Sequence, residues 1–404
     1  MKILVVASTF PASDGDPVPA FVKDQVIALR EHDASLVFDV LAPHDNRSGT
    51  KTKTIHPHYT EHRFHYMWPR KWEKLAGRGI MPALKQNPLN YAIVPFLFTG
   101  EFLALLSTAS STKPDIIYAH WFTPQAVNAR IVGALLNIPF VLTTHASDVS
   151  VWKKIPLFGK LVVQDTARKA HKITAVSTRS MNKLLDFFDE AEIDTLNHKL
   201  QIIPMGVPIP EVKSTHFTDN KHVLFIGRLA EKKGVAYLLE AFDKLAEKHP
   251  DTLLTIAGDG PLRDNLEAQS KNLKHANRVK FVGYVSGIEK QKLIESHTLY
   301  AVPSIITDDG DAEGLPVSLL EGLAGGKLCI ATHESGADDI LKDGKDGVLV
   351  EQKNADALYV AIAETLELNS SKKRAMSSMA TQTAKQFAWK TIAEKYYNFF
   401  FEEI

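Results

Sequence analysis

The stretch His222–His249 reads HVLFIGRLAEKKGVAYLLEAFDKLAEKH. It opens with the unbroken apolar run Val223–Ile226, which stops at Gly227. It closes with Val235, Leu238, Leu239, Phe242, Leu245 and Ala246, spaced as one face of a helix. An apolar strand without alternation is buried on both sides, and an amphipathic helix directly after it is the covering layer. This is half of a βαβ unit, so it predicts a parallel sheet with helices on its faces.

The same plan extends in both directions. Downstream, strands are expected at Thr252–Ala257, Val279–Val282, Leu299–Pro303, Lys327–Ala331 and Gly347–Val350. The intervening helices are Pro261–Asn272, Glu289–Ser296, Pro316–Leu323 and Ala355–Leu366. Upstream, strands are expected at Ile3–Ser8, Leu36–Ala42, Asp115–His120, Phe140–His145, Ile173–Ser177 and Leu200–Pro204. Helices fall at Ala20–Glu31, Gln125–Leu136, Phe158–Ala170 and Thr178–Phe188. A chain of 404 residues exceeds one ordinary core. The fold class is therefore α/β, with two Rossmann-like doubly wound domains facing one another across a central cleft. Ligand sites belong at the carboxyl ends of their strands. The expected boundaries are 1–208 and 209–384, with Pro208–Asn220 as the linker. A helix over 385–404, rich in Tyr396, Tyr397, Phe399, Phe400 and Phe401, crosses back onto the first domain, and burial is its expected use.

Composition narrows the function. Lys plus Arg and Asp plus Glu both number 47, which gives no global charge for nucleic acid. The one cysteine, Cys329, sits in an apolar run and reads as a core thiol, which excludes internal disulfides and multi-cysteine metal sites. Lys2–Ala7 reads as a first strand rather than a signal peptide. Leu89–Leu106 is the nearest approach to a membrane span, interrupted by Pro95, Gly100 and Glu101. A cytoplasmic protein is expected, with peripheral attachment to the inner face of the cell membrane as an additional possibility.

The densest functional signal is Glu313-Gly314-Leu315-Pro316-Val317-Ser318-Leu319-Leu320-Glu321. One carboxylate lies in a Gly/Pro loop, and the other lies about two turns into a helix opened by Pro316. Carboxylates beside a helix N-terminus suit a ligand carrying both hydroxyls and negative charge. A capping acid plus an exposed helix glutamate is the alternative. The surrounding pattern, Pro303-Ser304, Asp308–Pro316, Glu321–Lys327, Ala331-Thr332 and Gly336, resembles the signature of retaining glycosyltransferase family 4. Gly227-Arg228-Leu229 with Glu231-Lys232-Lys233-Gly234 is similar to that family's "GRL…KKG" loop. Ala257-Gly258-Asp259-Gly260-Pro261 and Phe281-Val282-Gly283-Tyr284-Val285 are similar to its turns near the nucleotide.

The resemblance implies a GT-B fold and transfer of a hexose-type sugar from a nucleotide-diphosphate sugar to a glycan or lipid-linked acceptor. Configuration is retained, and no metal or other cofactor is required. It implies that Glu313 positions the donor sugar and Glu321 binds the ribose. Arg228 and Lys233 neutralise the leaving diphosphate, and His145 contacts the transferred sugar. Gly227, Gly258, Gly283, Tyr284, Gly314, Leu315, Pro316 and Val317 line the donor. Surface polysaccharide or glycolipid synthesis is the setting implied. In the first half, Thr143–Asp148 resembles the family's "HGxD" turn, with Ala146 where glycine is usual. Ala119-His120-Trp121 resembles another strand-end turn. His120, Asp14 and Phe21 are acceptor-side candidates, because the first loop carries Pro11, Pro17 and Pro19 and lacks the usual glycine pair.

Three other groups of residues carry a possible metal or membrane reading. His56, His58, His62 and His65 match no closed metal-site spacing and read as a polar strand and loop. Over 68–106, Arg70, Lys71, Lys74, Arg78 and Lys85 interleave with Trp68, Trp72, Leu75, Ile80 and Met81, followed by the apolar run Ile93–Phe98. This suits an anionic membrane surface or, equally, a helix pair packed on the sheet. Asp309-Gly310-Asp311 reads as a polar turn rather than a metal site. The rival functions are a GT-B epimerase or phosphorylase and a non-catalytic nucleotide-sugar-binding protein.

Overall fold

In the computed structural model, Lys2–Val6 has one exposed residue and then four buried ones, as expected of a strand covered on both faces. The structure describes residues 1–13, 16, 18, 20–45, 51–76, 80, 83, 84, 87–145, 148–209, 219–333 and 336–402. The chain divides into two units, Met1–Gly206 with Trp389–Ile404, and Val207–Ala388.

The first unit holds β1 (Lys2–Val6), β2 (Val37–Pro43), β3 (Lys53–Ile55), β4 (Tyr59–Phe64), β5 (Ile116–His120), β6 (Phe140–Thr144), β7 (Ile173–Ala175) and β8 (Leu200–Ile202). Their order is β3-β4-β2-β1-β5-β6-β7-β8. All pairings are parallel except β3 with β4. Ile3 lies between Phe38 and Ile116 in register. Alternate residues of the central strands feed opposite layers. Leu4, Val6, Ile117, Ala119 and Leu142 pack on one face, and Ile3, Val5, Ile116, Tyr118 and Val141 pack on the other.

The helix Trp389–Phe400 completes that second layer with Ile392, Ala393, Tyr396 and Phe400. The Tyr396 hydroxyl donates to the Ile203 carbonyl at 2.9 Å. Phe401 is buried, while Tyr397 and Phe399 are partly buried against the same layer. At Gly206 a Cβ would fall 2.5 Å from the Trp389 ring, so the returning helix needs glycine there.

The second unit holds β9 (His222–Ile226), β10 (Leu253–Ala257), β11 (Val279–Gly283), β12 (Leu299–Val302), β13 (Leu328–Thr332) and β14 (Val348–Val350). The order β11-β10-β9-β12-β13-β14 is wholly parallel. It is the doubly wound dinucleotide-type order, with its topological switch between β9 and β12. Cys329 is buried in β13, and burial raises its thiol pKa, as suits a core residue.

Three expectations need correction. Strands β3 and β4 were read only as a polar strand and loop. Glu61 and Arg63 of β4 are buried and hydrogen-bonded to each other, and Arg63 also donates to the Phe10, Pro11 and Pro43 carbonyls. The helix expected from Pro316 begins at Val317. Pro316 is its cap residue, with φ −77° and ψ 85°, and Glu321 lies little more than one turn in. Over 68–106 the described residues include the short turn Arg70–Trp72, the turn Pro88–Ile93 and the helix Val94–Thr112; residues 77–79, 81, 82, 85 and 86 lie outside the described residues.

The breaks expected in Leu89–Leu106 do not break it. Pro95 falls in the first helical turn, where no N–H is missed. Gly100 sits against Tyr66. Glu101 is buried and receives hydrogen bonds from Gln125 and Asn128. By length and composition alone Pro88–Thr112 could cross a membrane; its Ile93, Leu97, Leu105 and Ala109 pack into the first unit's core.

Candidate active site

The second unit builds its site on three glycine turns at the carboxyl ends of β9, β10 and β11. Gly227 N–H donates to the Ala257 carbonyl at 3.0 Å, and Gly258 N–H donates to the Gly283 carbonyl at 2.7 Å. Gly258 has φ +146°, and a Cβ there would stand 1.8 Å from the Gly227 carbonyl oxygen. No side chain fits so close an approach. Gly283 has φ +77°, and Tyr284 beside it is exposed. Arg228 is exposed at the turn after β9.

The turn Glu231–Lys233 ends at Gly234, with φ +63°. A Cβ on Gly234 would lie 1.9 Å from the Pro303 carbonyl, so glycine lets this turn press against the end of β12. The Ile305 N–H donates to the Lys232 carbonyl at 2.8 Å and aligns the loop after β12 along it. That contact brings the lysines to Glu313. Lys233 Nζ is 3.0 Å from Glu313 Oε2, and Lys232 Nζ is 3.7 Å from Oε1 and 3.3 Å from Asp311 Oδ1.

Lys233 and Glu313 side chains are only 14% and 12% exposed. Burial pushes the Glu313 carboxyl pKa up, but Lys233 and then Lys232 outweigh it and hold the pKa below the usual value. Glu313 is therefore a carboxylate fit to accept hydrogen bonds, not a proton donor. Asp309-Gly310-Asp311 is a closed turn: the Thr307 hydroxyl and the Asp311 N–H both bond Asp309 Oδ1, and Gly310 has φ +80°.

Gly314, Leu315, Pro316 and Val317 lead from Glu313 into the helix Val317–Ala324. A Cβ on Gly336 would lie 2.8 Å from the Gly314 carbonyl. Glu321 pairs with Lys290 Nζ at 2.6 Å.

In the first unit, β5 ends at His120 and β6 runs directly into His145. His120 Nδ1 and His145 Nε2 are 3.1 Å apart. Trp121 stacks toward His145 with centroids 4.7 Å apart, and Phe21 approaches from the first helix at 5.2 Å. Burial, then the neighbouring His145, holds the His120 pKa well below its usual value. Burial lowers that of His145 to about 4, against the opposing pull of Asp148. Both imidazoles are thus neutral near pH 7. Asp148 ties the turn by accepting from the Phe122 N–H at 2.6 Å and the Thr144 hydroxyl at 2.9 Å. Trp121 holds φ +74°, costly for a bulky residue, in the bend that joins the two histidines' strands. Asp14 and Ala146 lie outside the described residues.

Residues 210–383 match the family model for glycosyl transferases group 1, and residues 39–209 match that for glycosyltransferase family 4. The chain belongs to the family 4 glycosyltransferases. It is 29% identical over 348 residues to an uncharacterised glycosyltransferase of Methanocaldococcus jannaschii, spanning 81% of this chain and 85% of that one. It is 27% identical over 241 residues to the GDP-mannose-dependent alpha-(1-6)-phosphatidylinositol monomannoside mannosyltransferase of Mycolicibacterium smegmatis, over 56% and 60% of the two chains. Anabaena HepE, crystallised with UDP, shares the fold at TM-score 0.71 and 20% identity, covering 98% of this chain and 99% of that one. The glycosyltransferase is an enzyme of the GT-B fold.

The structure brings together sequence candidates within each unit of the glycosyltransferase: Lys233 with Glu313 in one, and His120, His145 and Phe21 in the other. Four residues of these constellations had no role assigned from sequence: Lys232, Lys290, Trp121 and Asp148. Lys232, Trp121 and Asp148 stood inside quoted motifs, so motif membership was the available signal. Lys290 is 31 residues from Glu321, on another helix, and its pairing is purely tertiary.

The four sequence histidines do not converge either. His56 pairs with Glu61, His62 with Asp39 and His65 with Glu73.

Proposed function

We propose that this glycosyltransferase moves a hexose-type sugar, with retention of configuration, from a nucleotide-diphosphate sugar to a glycan or lipid-linked acceptor in surface polysaccharide or glycolipid synthesis. The observation that carries the reading is the Lys232–Lys233–Glu313 set at the carboxyl ends of β9 and β12. It supplies fixed positive charge for a departing diphosphate and an ionised carboxylate for sugar hydroxyls, without a metal. In this reading Arg228 adds a bidentate grip on phosphate oxygens, and Glu321 takes the ribose in exchange for Lys290. The glycine turns at Gly227, Gly258 and Gly283 give the nucleotide backbone access.

The diphosphate leaves as the acceptor oxygen arrives on the same face of the sugar, and a leaving phosphate oxygen takes the acceptor proton. The neutral His145 donates or accepts a hydrogen bond at a sugar hydroxyl without adding charge. Trp121 and Phe21 form the wall on which an acceptor ring stacks, with the buried His120 behind His145. HepE binds UDP and the mycobacterial relative uses GDP-mannose, so both bases belong in the test.

Peripheral docking on an anionic membrane is part of the proposal. The helices Val94–Thr112, Val127–Leu136 and Pro156–Lys169 lie side by side. They expose Phe96 and Leu103, then Ile131 and Leu135, then Leu157, Phe158 and Leu161. Lys153 and Lys154 precede the last helix, and Arg70, Lys71 and Lys74 flank exposed Trp68 and Trp72. Arg78, Met81 and Lys85 lie outside the described residues. Apolar side chains beside lysines suit an anionic interface.

The test is nucleotide release from a panel of UDP- and GDP-sugars, with and without extracted lipids, for wild type and Glu313→Gln. Release from one donor that depends on added acceptor and is lost in the variant supports the proposal. Donor binding with no release under any condition refutes transfer. Binding to anionic vesicles unchanged by Leu157→Glu with Leu161→Glu refutes the docking face.

A further inference from the structure

We propose that His44, His65 and Glu73 form a binding site for a divalent cation of the zinc class at the carboxyl ends of β2 and β4. The placement follows from strand register. Pro43, the last residue of β2, pairs with Phe64, the last of β4, so the next residue of each strand is a histidine beside a histidine. The His44 N–H donates to the Phe64 carbonyl at 2.8 Å, and the two imidazole centroids are 4.3 Å apart. The chain then turns through Arg70–Trp72 and returns Glu73 to the pair.

Glu73 Oε2 stands 3.3 Å from His44 Nδ1 and 3.0 Å from His65 Nδ1. The three donor atoms all lie within 4.8 Å of one another. A tetrahedral ion with bonds of about 2.0–2.1 Å separates its ligand atoms by about 3.3 Å, so the two measured edges already have the required length.

The carboxylate is prepared for this use. The Glu73 side chain is fully buried. Its Oε1 accepts from the Tyr66 N–H at 3.0 Å, the Met67 N–H at 3.3 Å and Arg70 Nη1 at 3.3 Å. These bonds fix the group and leave Oε2 aimed between the imidazoles, the outer-shell support that metal-binding carboxylates receive. Two imidazole nitrogens and one carboxylate oxygen select zinc or its neighbours over magnesium or calcium, which take all-oxygen sites. The His65 side chain is 27% exposed against 11% for His44, so the remaining position opens to solvent on the His65 side.

A bound ion would clamp β2, β4 and the turn after β4 at one point. That turn is already closed by the Tyr66 hydroxyl, which accepts from the Leu75 and Ala76 N–H groups at 2.9 and 3.3 Å. In the proposed function this cation plays no part in the transfer step.

The test uses the whole protein, stripped with a chelator and titrated with Zn²⁺, with Co²⁺ as a spectroscopic probe and Mg²⁺ for comparison. The expected result is one Zn²⁺ per chain, a raised melting temperature, Co²⁺ absorption bands of nitrogen–oxygen ligation, and no response to Mg²⁺. His65→Ala and His44→Ala should each weaken Zn²⁺ binding at least about 100-fold. His56→Ala, whose ring pairs with Glu61, should leave it unchanged. Glu73→Gln also disturbs the Tyr66 and Met67 bonds, so the half-exposed His65 gives the deciding variant. Absence of stoichiometric Zn²⁺ uptake overturns the proposal, as does uptake equal in wild type and His65→Ala.

Discussion

Glu101 offers a test of the first unit's packing through pH alone. Its side chain is buried in the helix Val94–Thr112, and burial raises its pKa to about 7 despite hydrogen bonds from Asn128 and Gln125. The unfolded carboxyl titrates near 4.5. The folded state therefore holds the proton more tightly, and stability is greatest below about pH 4.5 and falls as pH rises through about 7. At 1.36 kcal/mol per unit, the shift corresponds to a loss of about 3 kcal/mol by pH 8, an upper estimate.

Glu101→Gln removes the titration. The introduced amide meets two donors, but Gln125 Oε1 is buried without a hydrogen-bond partner among the described residues, so a flip of Gln125 offers it an acceptor. The variant should match wild type near pH 4.5 and exceed it by up to about 6–12 °C in melting temperature at pH 8, at roughly 2–4 °C per kcal/mol. The assay is thermal unfolding of both proteins at half-unit steps of pH. Parallel profiles, with no divergence between pH 5 and 8, would refute the reasoning.

Other outcomes follow from single contacts. Lys233→Met removes the charge nearest Glu313 and should lower kcat/KM for the donor about 10²–10³-fold, read by nucleotide release at matched protein folding. Gly258→Ala puts a Cβ into the Gly227 carbonyl at a φ foreign to alanine; a loss of at least about 3 kcal/mol in denaturant titration is expected. Phe400→Ala empties a fully buried ring site between Tyr118 and Tyr396. It should cost about 3–5 kcal/mol, seen in the transition of the first unit rather than of the second.

The parallel sheets were legible because their central strands are buried on both faces, so Ile3–Val6, Val223–Ile226 and Leu299–Val302 are unbroken apolar runs. β3 and β4 escaped that test. Lys53–Ile55 is too short to show a period, and Glu61 and Arg63 look solvent-facing until each is seen as the other's buried partner. The glutamate loop was legible as a motif, but its helix start moved by one residue because Pro316 takes an extended ψ of 85°. Lys290 beside Glu321, and His44 beside His65, are products of fold and register that no local spacing encodes. The positive φ at Trp121 was equally hidden, since nothing in the residue type predicts it.

The Trp389–Phe400 helix has a consequence for how the chain is made. Its Ile392, Tyr396 and Phe400 fill a layer whose other members, Ile3, Val5, Val22 and Val26, leave the ribosome before any of the second unit. The nascent first unit must wait, one sheet face uncovered, while all of Val207–Ala388 is translated and free to fold. A premature stop ahead of Trp389 would therefore damage the first unit and leave the second intact.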